Sequence, residues 1–208
     1  MHDRNIPIMY EEEDGALAVR LARASIDNAV KRIPMPDIPV PEKFLAESGA
    51  FVTLSTYPKH ELRGCIGYPG PYFPLKEALV RAAREATRDP RFKPLKDNEL
   101  DGITVEVSLL TPPVPLAVKN PKDYLTQIKI GHHGLIVERG GFSGLLLPQV
   151  PVEQGWGVEE FLAYTCKKAG LFGDAWQDPK TKLSTFTGEV FGEEKPRGTV
   201  TRKVLDGA

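Results

Sequence analysis

Between residues 12 and 31, Val19, Ala22, Ile26 and Val30 recur at intervals of three and four, with Ile33 continuing the stripe, and so predict one amphipathic helix. Glu11, Glu12, Glu13 and Asp14 stand at its start, where the helix dipole favours negative charge. Pro34, Pro36, Pro39 and Pro41 then forbid helix and predict an extended connector over 33–41. The period next falls to two. Residues 50–56 and 62–68 read as strands joined through Tyr57-Pro58-Lys59-His60, which makes a hairpin. Leu75, Ala78, Leu79, Ala82, Ala83 and Ala86 form a helical stripe over 74–88, with Glu85 at its edge and Asp89-Pro90 as its stop. Over 103–110, Ile103, Val105, Val107 and Leu109 face one way and Thr104, Glu106, Ser108 and Leu110 the other.

A short helix is expected over 121–127 and a second hairpin over 134–147, turning at Gly140-Gly141. Val158, Phe161, Leu162, Thr165, Cys166 and Ala169 predict a last long helix, with Lys167 and Lys168 at its end and Gly170 beyond it. Residues 182–191 alternate as one strand. The order α, ββ, α, β, α, ββ, α, β lacks the strict βαβ rhythm of a doubly wound sheet, so the expected class is α+β with largely antiparallel sheet packed by helices.

Composition narrows the function classes. The 208 residues carry 27 Lys plus Arg against 28 Asp plus Glu, a net charge of −1, and 41% hydrophobic residues, which describes a folded protein without a general field for nucleic acid or anionic lipid. No apolar run reaches the length of a membrane-spanning helix, and the opening His2, Asp3 and Arg4 lack the order of a signal peptide, so a cytoplasmic protein is expected. Cys65 and Cys166 are expected as free thiols. Neither CxxC nor HExxH occurs, so no built-in metal or cofactor is expected.

Chemistry centres on Cys65, which stands between Gly64 and Gly67. In one account Arg63 and Cys65, two apart on a strand, share a face, and the guanidinium lowers the thiol pKa for nucleophilic or redox work while the glycines admit a ligand or another backbone. In the other, Cys65 is a small buried hydrophobe and the glycines mark bulges. Cys166 lies in a core stripe and is expected to pack. The bases on offer are His2, His60, His132 and His133; the last two, at the mouth of the second hairpin, cannot both aim at one site unless the loop is irregular. Glu85, Asp89, Arg91 and Glu106 form either an ion-pair cluster or part of a site, with Arg91 bridging back to a carboxylate and Glu106 facing solvent or pairing with Arg63 or Arg91. The basic stretch Arg81, Arg84, Arg88, Arg91, Lys93 and Lys96, around Phe92, reads as a solvated face or a phosphate contact, without a glycine-rich phosphate loop to support the latter.

The strings Leu62-Arg63-Gly64-Cys65-Ile66-Gly67, Asp89-Pro90-Arg91-Phe92, Glu106-Val107-Ser108 and Leu147-Pro148-Gln149-Val150, in this order and spacing, resemble the AMMECR family of archaeal, bacterial and eukaryotic proteins. The likeness runs over about 17–191 and takes in His133-Gly134, Trp156 and Lys168-Ala169-Gly170. It implies one AMMECR-like domain over 1–208, with a larger and a smaller lobe and the cysteine motif near a cleft between them. It supplies no activity. One reading is a cysteine-dependent enzyme or enzyme component acting with Memo-like and radical S-adenosylmethionine proteins. Its catalytic candidates are Cys65, Arg63, Glu106 and His133, and its substrate-binding candidates Gly64, Gly67, Glu85, Asp89, Arg91 and Gln149. The alternative is a non-catalytic module whose cleft binds nucleic acid, a nucleotide or a peptide, with a role in transcription, translation or repair; a scaffold for partner proteins is the third.

Overall fold

The structure, a computed structural model, describes residues 10–203; the opening residues His2, Asp3 and Arg4 lie outside them. In chain order the elements are α1 (Glu12–Lys31), β1 (Ala50–Thr56), β2 (Leu62–Tyr68), α2 (Leu75–Ala86), β3 (Ile103–Leu110), β4 (Val114–Pro115), α3 (Tyr124–Gln127), β5 (Gly134–Arg139), β6 (Phe142–Leu146), α4 (Gln149–Gln154), α5 (Val158–Lys168), β7 (Lys182–Phe186), β8 (Gly188–Glu193) and β9 (Val200–Lys203). They form an α+β protein with two antiparallel sheets, ordered β2-β1-β3-β8-β9 and β4-β7-β5-β6, each packed by helices. The chain divides into two compact units, one reaching to Leu109 and resuming at Glu189–Lys203, the other Leu110–Gly188.

In the first unit α1 and α2 cover one face of the five-stranded sheet. Val52 and Leu54 of β1, Val105, Val107 and Leu109 of β3, and Phe191 of β8 point into that core and are fully buried. Helix α1 begins where the Asp14 carboxylate accepts the Glu11 backbone N–H at 2.7 Å and, beyond the helix, meets Lys43 at 2.6 Å. It ends at Lys31 because Arg32 takes the left-handed conformation. Ile33, placed on the helical stripe by its spacing, is therefore outside the helix and 46% exposed. Arg23 of α1 and Glu193 of β8 make a buried ion pair. Arg23 also donates to the carbonyls of Leu100 (3.1 Å) and Ile103 (2.8 Å), while Glu193 accepts the Val105 N–H at 3.0 Å. Such a pair holds its place only because each partner's remaining polar atoms are satisfied.

The second unit packs α5 against β5 and β6, over a core of Leu135, Val137, Phe161, Leu162, Cys166 and Trp176. The single strand expected over 182–191 is two strands in two sheets: β7 pairs with β5, and β8 belongs to the other sheet. Thr187 separates them, its backbone and hydroxyl bonded to Thr111. Alternation records extended chain but not which sheet each half joins. Three further elements, β4, α4 and β9, had no period to announce them. Strand β4 is two residues long and includes a proline, and α4 carries Pro151 in its first turn, where the missing N–H has no helical partner to lose. No helix among the described residues is long and apolar enough to cross a membrane.

Candidate active site

The β1–β2 hairpin sets the geometry around Cys65. Counting out from its turn, Ser55 stands opposite Leu62; the pairing then shifts by one, so that Leu54 faces Gly64 and Thr53 faces Cys65. Arg63 is the extra residue of the bulge. A bulge re-aims its side chain, so strict alternation does not carry through Arg63. Its guanidinium goes to Glu99, with Nε–Oε1 at 2.8 Å and Nη2–Oε2 at 3.2 Å, and the Glu99 carboxyl is held below its usual range first by that contact. The expected service of Arg63 to the thiol is thus taken up by a carboxylate.

The same shift places Thr53 beside the sulfur, its hydroxyl donating to Cys65 Sγ at 3.2 Å. Thr53 is in turn opposite Glu106 on β3. Cys65, Thr53 and Glu106 therefore form one row across three strands, on the sheet face turned away from α1 and α2. Burial pushes the Glu106 carboxyl above its usual range, and the charge of Lys203 opposes it. Glu106 is half-buried, and Arg63 and Arg91 pair with Glu99 and Asp89 instead of with it, which closes one of the two alternatives the sequence left open. Gly192 extends the row on β8: a Cβ there would lie 3.5 Å from Glu106 Cβ and 3.1 Å from Lys203 Cε, so the missing side chain lets the lysine stem cross toward Glu106.

The two glycines beside Cys65 are filled from within. A Cβ on Gly64 would run into the carbonyl oxygen of Ala86 at the end of α2, and one on Gly67 into the ring of Phe51. They let helix and ring close on the strand rather than opening the sulfur to a ligand. Asp89 is 2% exposed and accepts four bonds: from Cys65 N–H (2.9 Å), Arg91 N–H (3.0 Å), Arg91 Nε (3.0 Å) and Arg91 Nη2 (2.7 Å). The Arg91 guanidinium is the main cause that holds its carboxyl well below the usual carboxylate range, against burial. Arg91 Nη2 also donates to the Cys65 carbonyl at 3.3 Å. Asp89 and Arg91 thus take the outward N–H and C=O of Cys65 as a neighbouring strand would. Glu85 is exposed and accepts the Tyr68 hydroxyl at 2.8 Å.

His133 and Gln149 belong to the second unit. Gln149 opens α4 and is half-buried. His133 Nδ1 accepts the Lys129 N–H at 3.2 Å, and burial, helped by the charges of His132 and Lys129, lowers its pKa to about 4. The two histidine rings lie 5.0 Å apart, in a turn rather than a strand. Both cysteines are free, and Cys166 is fully buried. No group of three or more His, Cys, Asp or Glu among the described residues could hold a metal ion. Thr53, Glu99 and Lys203 are the members the sequence reading missed. Thr53 was hidden by the bulge, because unshifted counting from the turn puts Val52 opposite Cys65.

A family model described as AMMECR1 matches residues 19–191. A protein of Methanocaldococcus jannaschii is 54% identical over 196 residues, 93% of this chain and 96% of its own length. One of Thermococcus gammatolerans is 52% identical, over 95% of this chain and all of its own. The crystal structure of the uncharacterized protein PH0010 from Pyrococcus horikoshii superposes with a TM-score of 0.81 at 49% identity, covering 93% of this chain and 98% of that one. None of the three carries an activity in its name.

Proposed function

Since the chain belongs to the AMMECR1 family, whose relatives above name no reaction, we propose that it is a cysteine-dependent enzyme or enzyme component in which Cys65 is the nucleophile. The observation that carries this reading is the Thr53 hydroxyl on Cys65 Sγ, in the row that also presents Glu106. A hydroxyl aimed at sulfur fixes the rotamer of the side chain and so the direction from which the sulfur attacks. The substrate has an electrophilic carbon. The thiol proton passes to water, sulfur bonds that carbon, and its bond to the leaving group breaks as Glu106 delivers a proton to the departing atom; water then reprotonates Glu106. Cross-strand neighbours stand about 5 Å apart, so Cys65 and Glu106 span about 10 Å, room for a small substrate over Thr53. Glu106 is preferred to His133 as the proton donor because it shares this row. Asp89 and Arg91 hold the Cys65 backbone and act as positioning residues. Memo-like and radical S-adenosylmethionine proteins are the partners that the family resemblance implies for such a step. The phosphate-binding reading has less support, because Arg63 and Arg91 each already bind a carboxylate.

Alkylation of the native protein by iodoacetamide near neutral pH, followed residue by residue by mass spectrometry, tests the reading. Cys65 is expected to react while Cys166 waits for unfolding, and Thr53→Val should slow Cys65 about fivefold, the worth of one hydrogen bond. A Cys65 that stays inert until the protein unfolds overturns it.

A further inference from the structure

Strand β2 is the edge of its sheet, and its outer rim is only partly closed. Opposed residues of an antiparallel pair alternate between exchanging both backbone bonds and exchanging none. Because the Cys65 N–H leaves the ladder for Asp89, Thr53–Cys65 is a pair that exchanges none, and two residues on so is Phe51–Gly67. The N–H and C=O of Gly67 consequently point outward, like those of Cys65. At Cys65 they are taken by Asp89 and Arg91, whereas at Gly67 no backbone or side-chain partner stands outside the ladder among the described residues.

Beside this rim lies a groove of about 460 Å³ lined by Ile66, Pro90, Asn28, Arg84, Glu85 and Arg88. Ile66 and Pro90 join groove to rim, one as the residue before Gly67, the other as the link between Asp89 and Arg91. The lining charge is uneven. Glu85 is occupied by the Tyr68 hydroxyl, Arg84 donates to the neutral side chain of Asn28 at 2.8 Å, and Arg88 meets no carboxylate among the described residues. Both arginines are exposed.

We infer that the β2 rim and this groove bind an extended acidic peptide segment by strand addition, with backbone bonds at Gly67 and a carboxylate side chain set against Arg84 and Arg88. The two halves of the site match the two demands of strand addition: main-chain bonds supply affinity, and a pocket for an alternate side chain supplies specificity. Arginine suits the second role because its planar fork grips a carboxylate through two parallel bonds. Ile66 lines the groove and its neighbour Cys65 faces the other side of the sheet, so docking does not depend on the thiol.

The test uses the full chain and a Thr-Val-Glu-Val-Thr-Val amide carrying fluorescein on its N-terminal amine, against the same peptide with Lys in place of Glu. Affinity comes from fluorescence anisotropy and protection of the Gly67 amide from hydrogen exchange. The Glu peptide should bind about tenfold more tightly than the Lys peptide, as a charged hydrogen bond predicts. Arg84→Glu with Arg88→Glu should erase that preference. N-methylation of alternate peptide residues should weaken binding in one phase only, and the Gly67 amide should exchange more slowly in the complex. Cys65→Ala should bind like the parent, which separates this inference from the reactivity of the thiol. Equal affinity for the two peptides, or an unprotected Gly67 amide at millimolar Glu peptide, overturns it. So does Gly67 protection that rises with protein concentration alone, since the rim would then belong to a second copy.

Discussion

Asp89 is the residue on which the cysteine motif leans most. Its carboxylate serves two backbone donors and one guanidinium, and Asp89→Ala strands the Cys65 and Arg91 N–H groups. The expected cost is about 2 kcal/mol, read from the urea midpoint, with faster hydrogen exchange at the Cys65 amide. The Asp89 carboxyl is held below its unfolded value, so its share of stability is present above the unfolded carboxyl range, near pH 4, and is lost as pH falls below it. His133 has the opposite chemistry but the same slope. Its folded pKa of about 4 lies below the unfolded value of about 6.5, so the unfolded chain takes up the proton first and stability declines as pH falls from about 6.5 to 4. His133→Asn, which keeps an acceptor for the Lys129 N–H, should flatten the loss of Tm between pH 7 and pH 5, above the range where most carboxylates titrate. An unchanged slope would show that another group carries it.

Elements owe their contacts to single small residues. Strand β2 meets the end of α2 only because Gly64 has no side chain in front of the Ala86 carbonyl. Gly64→Ala should cost about 2 to 3 kcal/mol by overpacking against a backbone atom that cannot rotate away, visible as a lower urea midpoint with an unchanged slope. Most elements were legible in the sequence: the helices over 12–31, 74–88 and 158–169 and both hairpins stand within a residue or two of their periodic limits. The candidate site was less so. Cys65 and Glu106 could be placed on strands by alternation, but Thr53 could not be placed opposite Cys65, since a bulge one residue long reverses which face meets which. Arg63 shows the same limit, a side chain near the thiol in sequence that the bulge delivers to Glu99.

For the whole molecule, the decisive feature is that the first unit is assembled from distant parts of the chain. Strands β8 and β9 complete its sheet, and Glu193 neutralises Arg23 from 170 residues away. A chain ending at Gly188 should therefore lose the first unit's fold, leaving β3 as an open edge and Arg23 as a buried unpaired charge, costs of several kcal/mol against a total near 10. Circular dichroism and hydrogen exchange on the truncated chain check this, and native protection at Val52, Val105 and Val107 would refute it. Local periodicity determined which segments became helix or strand, which residues each segment turned to the core, and that Cys65 stood on a strand among small residues, because these follow from 3.6- and 2-residue repeats within one segment. The tertiary structure alone decided that 182–191 would serve two sheets, that Arg63 would bind Glu99, that the Lys203 stem would cross Gly192 toward Glu106, and that Asp89 and Arg91 would close part of the β2 rim. Each of these depends on which distant segments pair and in what register, and side-chain pattern within a segment carries no record of its partner.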